Sequence, residues 1–195
     1  MAVCRLGVED GTVVLGGQHF QAPQLSSLSL HNVQGKLSVS WSQLGSLKEL
    51  EARFLGEAVV LGAAELSAQT KLTALCLGWG ACEGGYDSAR MLLQAAPPSV
   101  QSLALEAWPA NRLPPPALTK LTQLTSLQCG SLAIIPLLSS LGQLQELRFS
   151  DHLAASLSVH DLAFLSEVTG LRRLPFGRRL AEPGLRTRCL KDGGW

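Results

Sequence analysis

The hydrophobic positions of the chain recur in a pattern of the form apolar-x-x-Leu-x-apolar, which occurs eight times. The eight copies begin at Val3, Leu25, Leu47, Leu72, Val100, Leu124, Leu144 and Leu171. Their starts lie 22, 22, 25, 28, 24, 20 and 27 residues apart, and each of these distances suits one supersecondary unit. The middle position is leucine in every copy. The pattern therefore predicts a structural repeat.

Two periodicities alternate within the copies. Leu28-Ser29-Leu30 alternates with period two, which is typical of a strand with one buried face. Upstream, leucines recur at every third position, as in the segment 118–127, which indicates a helical or 3₁₀ segment with one apolar edge. One such unit cannot bury its own apolar edge. We therefore expect the units to stack, with parallel strands on one side and helical turns on the other.

The copies resemble the leucine-rich repeat family, whose unit reads Leu-x-x-Leu-x-Leu-x-x-Asn-x-Leu. The resemblance covers about residues 3–176, and the segment 118–127 is typical of the family. It implies an α/β solenoid that is curved, with short parallel strands on the concave side and helical or 3₁₀ segments on the convex side. It predicts about eight irregular units over residues 1–177.

The sequence departs from the family at the asparagine position. The residues at this position are Gly11, Val33, Leu55, Gly80, Trp108, Leu132, His152 and Arg179. In the family, the asparagine side chain satisfies buried backbone groups where the chain turns after the strand, and buried backbone groups left unpaired are costly. We therefore expect a diverged solenoid whose turns meet this need by water, by tighter turns or by exposure.

Three segments interrupt or follow the repeat. A loop is predicted over 78–85, and a helix over 89–96 with Asp87-Ser88 as its N-cap and prolines at its end. A second helix is predicted from about Val159, with Ser158 and Asp161 spaced as a capping box and Gly170 just past its end. Residues 178–195 carry arginines and glycines but no repeat. We interpret them as a basic, disordered tail, with a basic arm for an acidic partner as the alternative.

Composition narrows the class of protein. The chain has 195 residues, 39 of them leucine, and a formal net charge of +1, so nothing global favours nucleic acid or an anionic membrane. The first ten residues have no apolar run of signal-peptide length, and no apolar stretch reaches the roughly 20 residues of a spanning helix. The five cysteines have no regular spacing, which favours thiols in a reducing compartment. We predict a cytoplasmic protein.

No catalytic or metal-binding motif is present. Cys76 and Cys82 have only His31 as a plausible further ligand, whereas a structural zinc site needs four. Asp151-His152 beside Ser150 are adjacent in sequence, and a catalytic triad is recognised by its arrangement in space. We therefore predict no enzyme activity, no cofactor and no metal.

A binding surface follows from the strand alternation instead. Side chains facing the solvent on the concave side would include charged residues and a histidine, and aromatic residues would lie just past the strands at one rim. The candidate protein-binding residues are His31, Glu49, Glu51, Arg53, Trp79, Glu106, Trp108, Glu146 and Arg148. Exposed aromatic residues bordered by charges are typical of interface hot spots. Alternatively, these rings fill the space left by the missing asparagines.

The sequence thus predicts a non-catalytic protein–protein interaction module or scaffold that binds its partner on the concave strand face. The predicted partner is a protein, with no nucleic acid, membrane or small-molecule substrate. From the resemblance, two alternatives remain open. The chain could be the recognition arm of a larger protein, such as a ubiquitin-ligase substrate receptor or an enzyme whose catalytic domain is absent from this sequence. It could also be a cytoskeletal or axonemal component.

Overall fold

The structure, a computed structural model, describes residues 2–7, 12–15, 22–80, 83–106, 116–149, 165, 168 and 170–174. Its strands are β1 (Ala2–Gly7), β2 (Thr12–Leu15), β3 (Leu25–Val39), β4 (Glu49–Leu61), β5 (Ala74–Trp79), β6 (Ser102–Glu106), β7 (Ser126–Cys129) and β8 (Glu146–Phe149). Its α-helices are α1 (Glu83–Gln94) and α2 (Ile135–Leu138). Four 3₁₀ helices complete the described elements: Trp41–Leu44, Ala63–Ala68, Pro116–Lys120 and Leu132–Ile134.

All eight strands belong to one sheet of the α/β class. Its order is β1-β3-β4-β5-β6-β7-β8, with β2 paired to β3 off this path. Every described pairing is parallel. Consecutive parallel strands need a crossover between them, and here the helices and 3₁₀ turns supply several of these crossovers. The expected arrangement of parallel strands with helical returns is thus confirmed at this level.

The predicted leucines form one continuous buried row across the sheet. The register aligns the middle leucine of each copy from β3 to β8. These residues are Leu28, Leu50, Leu75, Leu103, Leu127 and Leu147, and none is more than 2% exposed. Burial of a leucine side chain contributes about 1.5–3 kcal/mol, so this row is a main source of stability. Its continuity ties each unit to the next.

A second regularity lies in the hydrogen bonds just before the strands. At seven of the eight copies, the first apolar residue of the motif donates its N–H to the carbonyl three residues earlier; these donors are Leu25, Leu47, Leu72, Val100, Leu124, Leu144 and Leu171. One residue later, a carbonyl accepts two N–H groups of the next unit, as Gln101 O does from Thr125 and Ser126. The copies therefore share a turn as well as a strand.

The two long strands β3 and β4 show how the backbone is paired beyond the repeat motif. β3 and β4 continue through the corner as paired strands, so Val33 pairs with Phe54 and Leu37 with Val60. The ladder thus pairs backbone groups on both sides of the corner, with register shifts between Leu30 and Val33 and between Val33 and Gly35. Asn32 (φ 56°) and Gly35 (φ 75°) adopt left-handed backbone near the register shifts of β3, a conformation that these two residue types tolerate best.

The crossovers confirm some predicted helical segments and correct one. The start of the period-three segment 118–127 lies in the 3₁₀ helix Pro116–Lys120, and Trp41–Leu44 forms another 3₁₀ helix. Helix α1 was predicted to start at Ala89 after an Asp87-Ser88 cap, but it begins at Glu83. Ser88 lies inside the helix, fully buried, and its hydroxyl donates to the carbonyl oxygen of Ala58. The serine therefore anchors α1 to β4, and the predicted cap was wrong.

Several predicted segments lie outside the described residues. They include the second helix, apart from the buried Leu165 and Val168, and the tail over 178–195. Among the described residues, no helix combines the length and the apolar character needed to cross a membrane.

Candidate polar face of the sheet

The outward side chains of the strands form three rows, which together we call the polar face. The row register runs from β3 to β8. The first row is Ser27, Glu49, Ala74, Ser102, Ser126 and Glu146; the second is Ser29, Glu51, Cys76, Ala104, Gln128 and Arg148; the third is Arg53, Gly78 and Glu106. Period-two alternation puts all of them opposite the buried leucines. The predicted strand register is therefore confirmed from β3 to β8. For the first copy it was wrong by two residues, because Cys4 rather than Leu6 pairs with Leu28.

An ion-pair network joins three of the predicted residues. Arg53 Nε lies 3.1 Å from Glu51 Oε1, and Arg53 Nη2 lies 3.4 Å from both Glu106 Oε1 and Oε2. Ser29 Oγ donates to Glu51 Oε2 at 3.1 Å. The three charged side chains are 18–25% exposed, so water screens them less than it would a fully exposed pair. This network is preformed on the face.

Gly78 makes the contact between Arg53 and Glu106 possible. Arg53 on β4 and Glu106 on β6 are separated by β5, which amounts to roughly 10 Å at two strand spacings. A Cβ at position 78 would lie 3.1 Å from Glu106 Oε2 and 3.3 Å from Arg53 Cγ. Since Gly78 has no side chain, the two long side chains can meet above the strand.

A second ion pair lies at the other end of the face. Both Nε and Nη2 of Arg148 contact Glu146 Oε1, at 2.7 and 2.6 Å. Strand β7 separates the two ion-paired regions and presents the neutral Ser126 and Gln128 on this face, next to Ser102 and Ala104 on β6. Glu49 projects from the first row and is exposed. The predicted charged residues therefore lie on one face, in two groups separated by uncharged side chains.

The three remaining predicted binding residues differ in their surroundings. His31 follows Leu30 on β3 and is half-buried. Trp79 is only 8% exposed and packs edge-on against Tyr86, with ring centroids 5.8 Å apart. This burial fits the alternative in which the ring fills space at the corner, beside the fully buried Phe54. Trp108 lies outside the described residues.

The described residues show no grouping suited to metal chemistry. No cluster of three or more His, Cys, Asp or Glu side chains occurs among them that could hold a metal ion. His31 and Cys76 lie on strands β3 and β5, with β4 between them. Burial raises the pKa of the Cys129 thiol to about 12, so this side chain stays protonated at neutral pH and serves as a small core residue.

Known proteins offer no match from which the role of the polar face could be inferred. No protein-family model matches the chain, and no curated protein matches it significantly.

Sequence reasoning missed two features of the face. Gly78 was assigned to a loop, although its place in the strand register could have indicated that long side chains meet above it. An open depression of about 310 Å³ also lies beside β7 and β8, lined by Thr125, Ser126, Gln145, Glu146, Arg172 and Arg173. Arg172 precedes the outward position of its copy, and strand alternation alone does not assign it to a surface.

Proposed function

We propose that this chain is a leucine-rich-repeat solenoid that binds a protein partner on its polar face and performs no catalysis of its own. The observation that carries the proposal is the row register, which gathers Glu49, the Glu51–Arg53–Glu106 network and the Glu146–Arg148 pair on one continuous sheet surface. Repeat stacks present such extended faces to partners. We also propose a cytoplasmic location, which the free thiols of Cys4 and Cys129 support.

The dimensions suit a macromolecular partner. From β1 to β8 the sheet path has six strand spacings, or about 29 Å at 4.8 Å each. That length equals about nine residues of extended chain or about five turns of helix. The small side chains in the middle allow close approach, and the charges on either side select register and orientation more than they add affinity.

The ion pairs on the face are preorganised. Arg53 is held by two carboxylates that arrive from different strands, so less side-chain entropy remains to be lost when a partner docks. Glu49 stands free of this network in the first row, where it can meet a cationic group of the partner. These contacts support an electrostatic recognition surface.

The test compares four immobilised forms of the chain, the wild type and three variants, as baits in a cell lysate. The variant Glu49→Lys reverses a charge on the polar face. Glu65→Lys makes the same change on the 3₁₀ helix Ala63–Ala68, where Glu65 is exposed. Quantitative mass spectrometry measures which proteins each bait retains, and circular dichroism checks that each bait is folded.

We expect a defined set of proteins to be retained by the wild type and by Glu65→Lys and to fall at least tenfold with Glu49→Lys. A third variant, Ala104→Arg, places a long side chain among the small residues of the polar face. It should reduce retention of the same set of proteins. If the two charge reversals have equal effects, or if neither changes the retained proteins, the polar face is not the binding surface.

A further inference from the structure

A second surface lies past the corner, on the outward side of the strands that continue there. The register aligns Val14 of β2 with Ser38 of β3, and Ser38 with Leu61 of β4. Val59 lies two residues before Leu61 on β4, and period-two alternation puts both on the same side. Val14, Val59 and Leu61 are 60%, 46% and 47% exposed. We call this surface the outer face; it consists of Val14, Lys36, Ser38, Glu57, Val59 and Leu61.

The apolar side chains of the outer face adjoin one another. Alternate residues on a strand are about 7 Å apart and neighbouring strands about 4.8 Å, so Val59 lies beside Leu61, and only the small Ser38 stands between Leu61 and Val14. The core is already covered by the inward residues of the same strands, such as the buried Val60. Single exposed apolar side chains are common, whereas adjoining ones mark interaction sites. The outer face therefore calls for a partner.

Two opposite charges border these apolar side chains. Lys36 is the cross-strand neighbour of Val59, and Glu57 precedes Val59 by two residues on the same side of β4. Both charged side chains are exposed, and neither takes part in an ion pair with another residue that the structure describes. A partner carrying one sign of charge would attract one of them and repel the other. The pair is complementary to a copy of itself instead.

A two-fold axis makes use of both charges at once. In a C2 dimer the same surface of each copy meets, so a contact between two different residues occurs twice. An axis that passes between Lys36 and Glu57 brings each lysine against the glutamate of the other copy. Val59 adjoins both residues and then lies near the axis, where the apolar side chains of the two sheets can interdigitate at the usual spacing of about 10 Å.

We propose that a second copy of this chain covers the outer face, with Val59 near the two-fold axis and Lys36 of each copy facing Glu57 of the other. The residues of the polar face take no part in this contact, so the inference goes beyond the proposed function and does not depend on it. The dimer carries two polar faces, which lets it bind a partner with repeated sites more tightly than one copy does.

The strength of association follows from the size of the surface. Three apolar side chains and two charges from each copy cover less than the roughly 800 Å² per partner of a standard interface. We therefore expect a reversible dimer with a dissociation constant on the order of 10 µM. Analytical ultracentrifugation of the purified chain from about 1 to about 300 µM covers this range. The average mass should rise with concentration from that of one chain toward that of two.

Two matched lysine substitutions locate the contact. Val59→Lys places a charge near the axis and should weaken association at least tenfold. Val3→Lys makes the same change at a valine that is 53% exposed and pairs with Ser27 of the polar face; it should leave association within about twofold. Circular dichroism checks that both variants are folded. Equal weakening by the two substitutions would show a contact at another surface and would overturn the proposal.

Charge reversal tests the orientation of the two copies. Lys36→Glu and Glu57→Lys, made singly, each bring like charges together across the axis and should weaken association at least fivefold. The double variant restores opposite charges and should associate within about twofold of the wild type. If the single reversals have no effect, or if the double variant associates no better than they do, Lys36 and Glu57 do not face each other and the proposal is wrong.

Two further results would exclude a closed pair. If the wild type keeps the mass of one chain at every concentration, a second copy does not cover the outer face. If the mass grows beyond that of two chains, the copies associate head to tail and no two-fold axis relates them. The retention experiment with Glu49→Lys is a separate measurement, so the dimer and the binding function of the polar face can fail independently.

Discussion

The amino-terminal and carboxyl-terminal parts of the sheet share the same strand motif but return across the core in different ways. In the first part, β3 and β4 turn the corner and continue as paired strands through Ser38 and Leu61. In the second, β7 and β8 span four residues each, and the chain returns through 3₁₀ turns and α2. This difference shows that the repeat motif determines the parallel strands of the sheet. The residues after the motif determine how the chain crosses to the next strand.

Local chemistry accounts for this difference. Past the corner, β3 and β4 have buried Leu37, Val39 and Val60 at alternate positions, and β-branched residues favour strands. The carboxyl-terminal returns have leucines at every third position, as at Leu118, Leu121 and Leu124. Period three suits a 3₁₀ turn, in which residues three apart lie above one another.

The largest expected effects come from removing one buried leucine in each region. Leu37→Ala in the strand return and Leu121→Ala in the turn return should each lower the free energy of unfolding by about 3 kcal/mol, because both side chains are at most 1% exposed. Urea denaturation followed by circular dichroism measures both. A loss below about 1 kcal/mol for only one of them would show that its return path packs more loosely than the burial indicates.

A pair of glycine substitutions should distinguish the stability of the two regions more clearly than the leucine substitutions do. The three described residues with positive φ, which are Asn32, Gly35 and Gly62, all lie in the amino-terminal part. Gly62 has φ 78°, and a Cβ there would lie 2.7 Å from the carbonyl oxygen of Val39. We expect Gly62→Ala to lower the free energy of unfolding by about 2 kcal/mol or more.

The matched control for this glycine is Gly142→Ala in the carboxyl-terminal part. A Cβ at Gly142 meets nothing within 4 Å, so we expect a change of a few tenths of a kcal/mol, in either direction. Thermal unfolding of both variants provides the measurement. Equal destabilisation by the two substitutions would contradict the expectation that position 62, unlike position 142, requires a glycine.

Cys129, in the carboxyl-terminal part, should make the stability of the protein depend on pH in the alkaline range. Its pKa rises from 9.0 to about 12 through burial, so above pH 9 the unfolded chain loses a proton that the folded chain keeps. Stability then falls as pH increases from about 9 to about 12, by about 1.4 kcal/mol per pH unit at most. Denaturant unfolding at pH 8 and pH 10 should show a steeper loss for the wild type than for Cys129→Val.

The smallest expected effect concerns a serine at the start of a 3₁₀ turn. Ser131 is 1% exposed, and its hydroxyl accepts the N–H of Ala133 at 3.2 Å. We expect Ser131→Ala to cost about 1 kcal/mol. The comparison is Ser140→Ala, whose exposed hydroxyl donates to Leu137 O; its loss should cost less, since water can replace this contact. A larger effect at Ser140 would contradict this ordering.

The candidate face was predictable to the extent that alternation governs it. Glu49, Glu51, Arg53, Glu106, Glu146 and Arg148 were assigned to one side of the strands, and their register confirms it. The reach of Arg53 across Gly78 was not predictable, because it depends on two side chains from strands that are 53 residues apart. The start of α1 was missed because Gly85 packs close to Phe54 and Trp79, contacts that local propensity does not contain.

The sequence alone determined which residues point inward, because period-two alternation within each copy allows one buried face and the leucines occupy it. It also determined the order of the strands, since short connections between similar units favour neighbours that follow each other along the chain. Tertiary structure decided the returns, the burial of Trp79, the ion pair above Gly78 and the place of Arg172. These features depend on side chains from different units meeting in space, and a one-dimensional pattern carries no information about such distances.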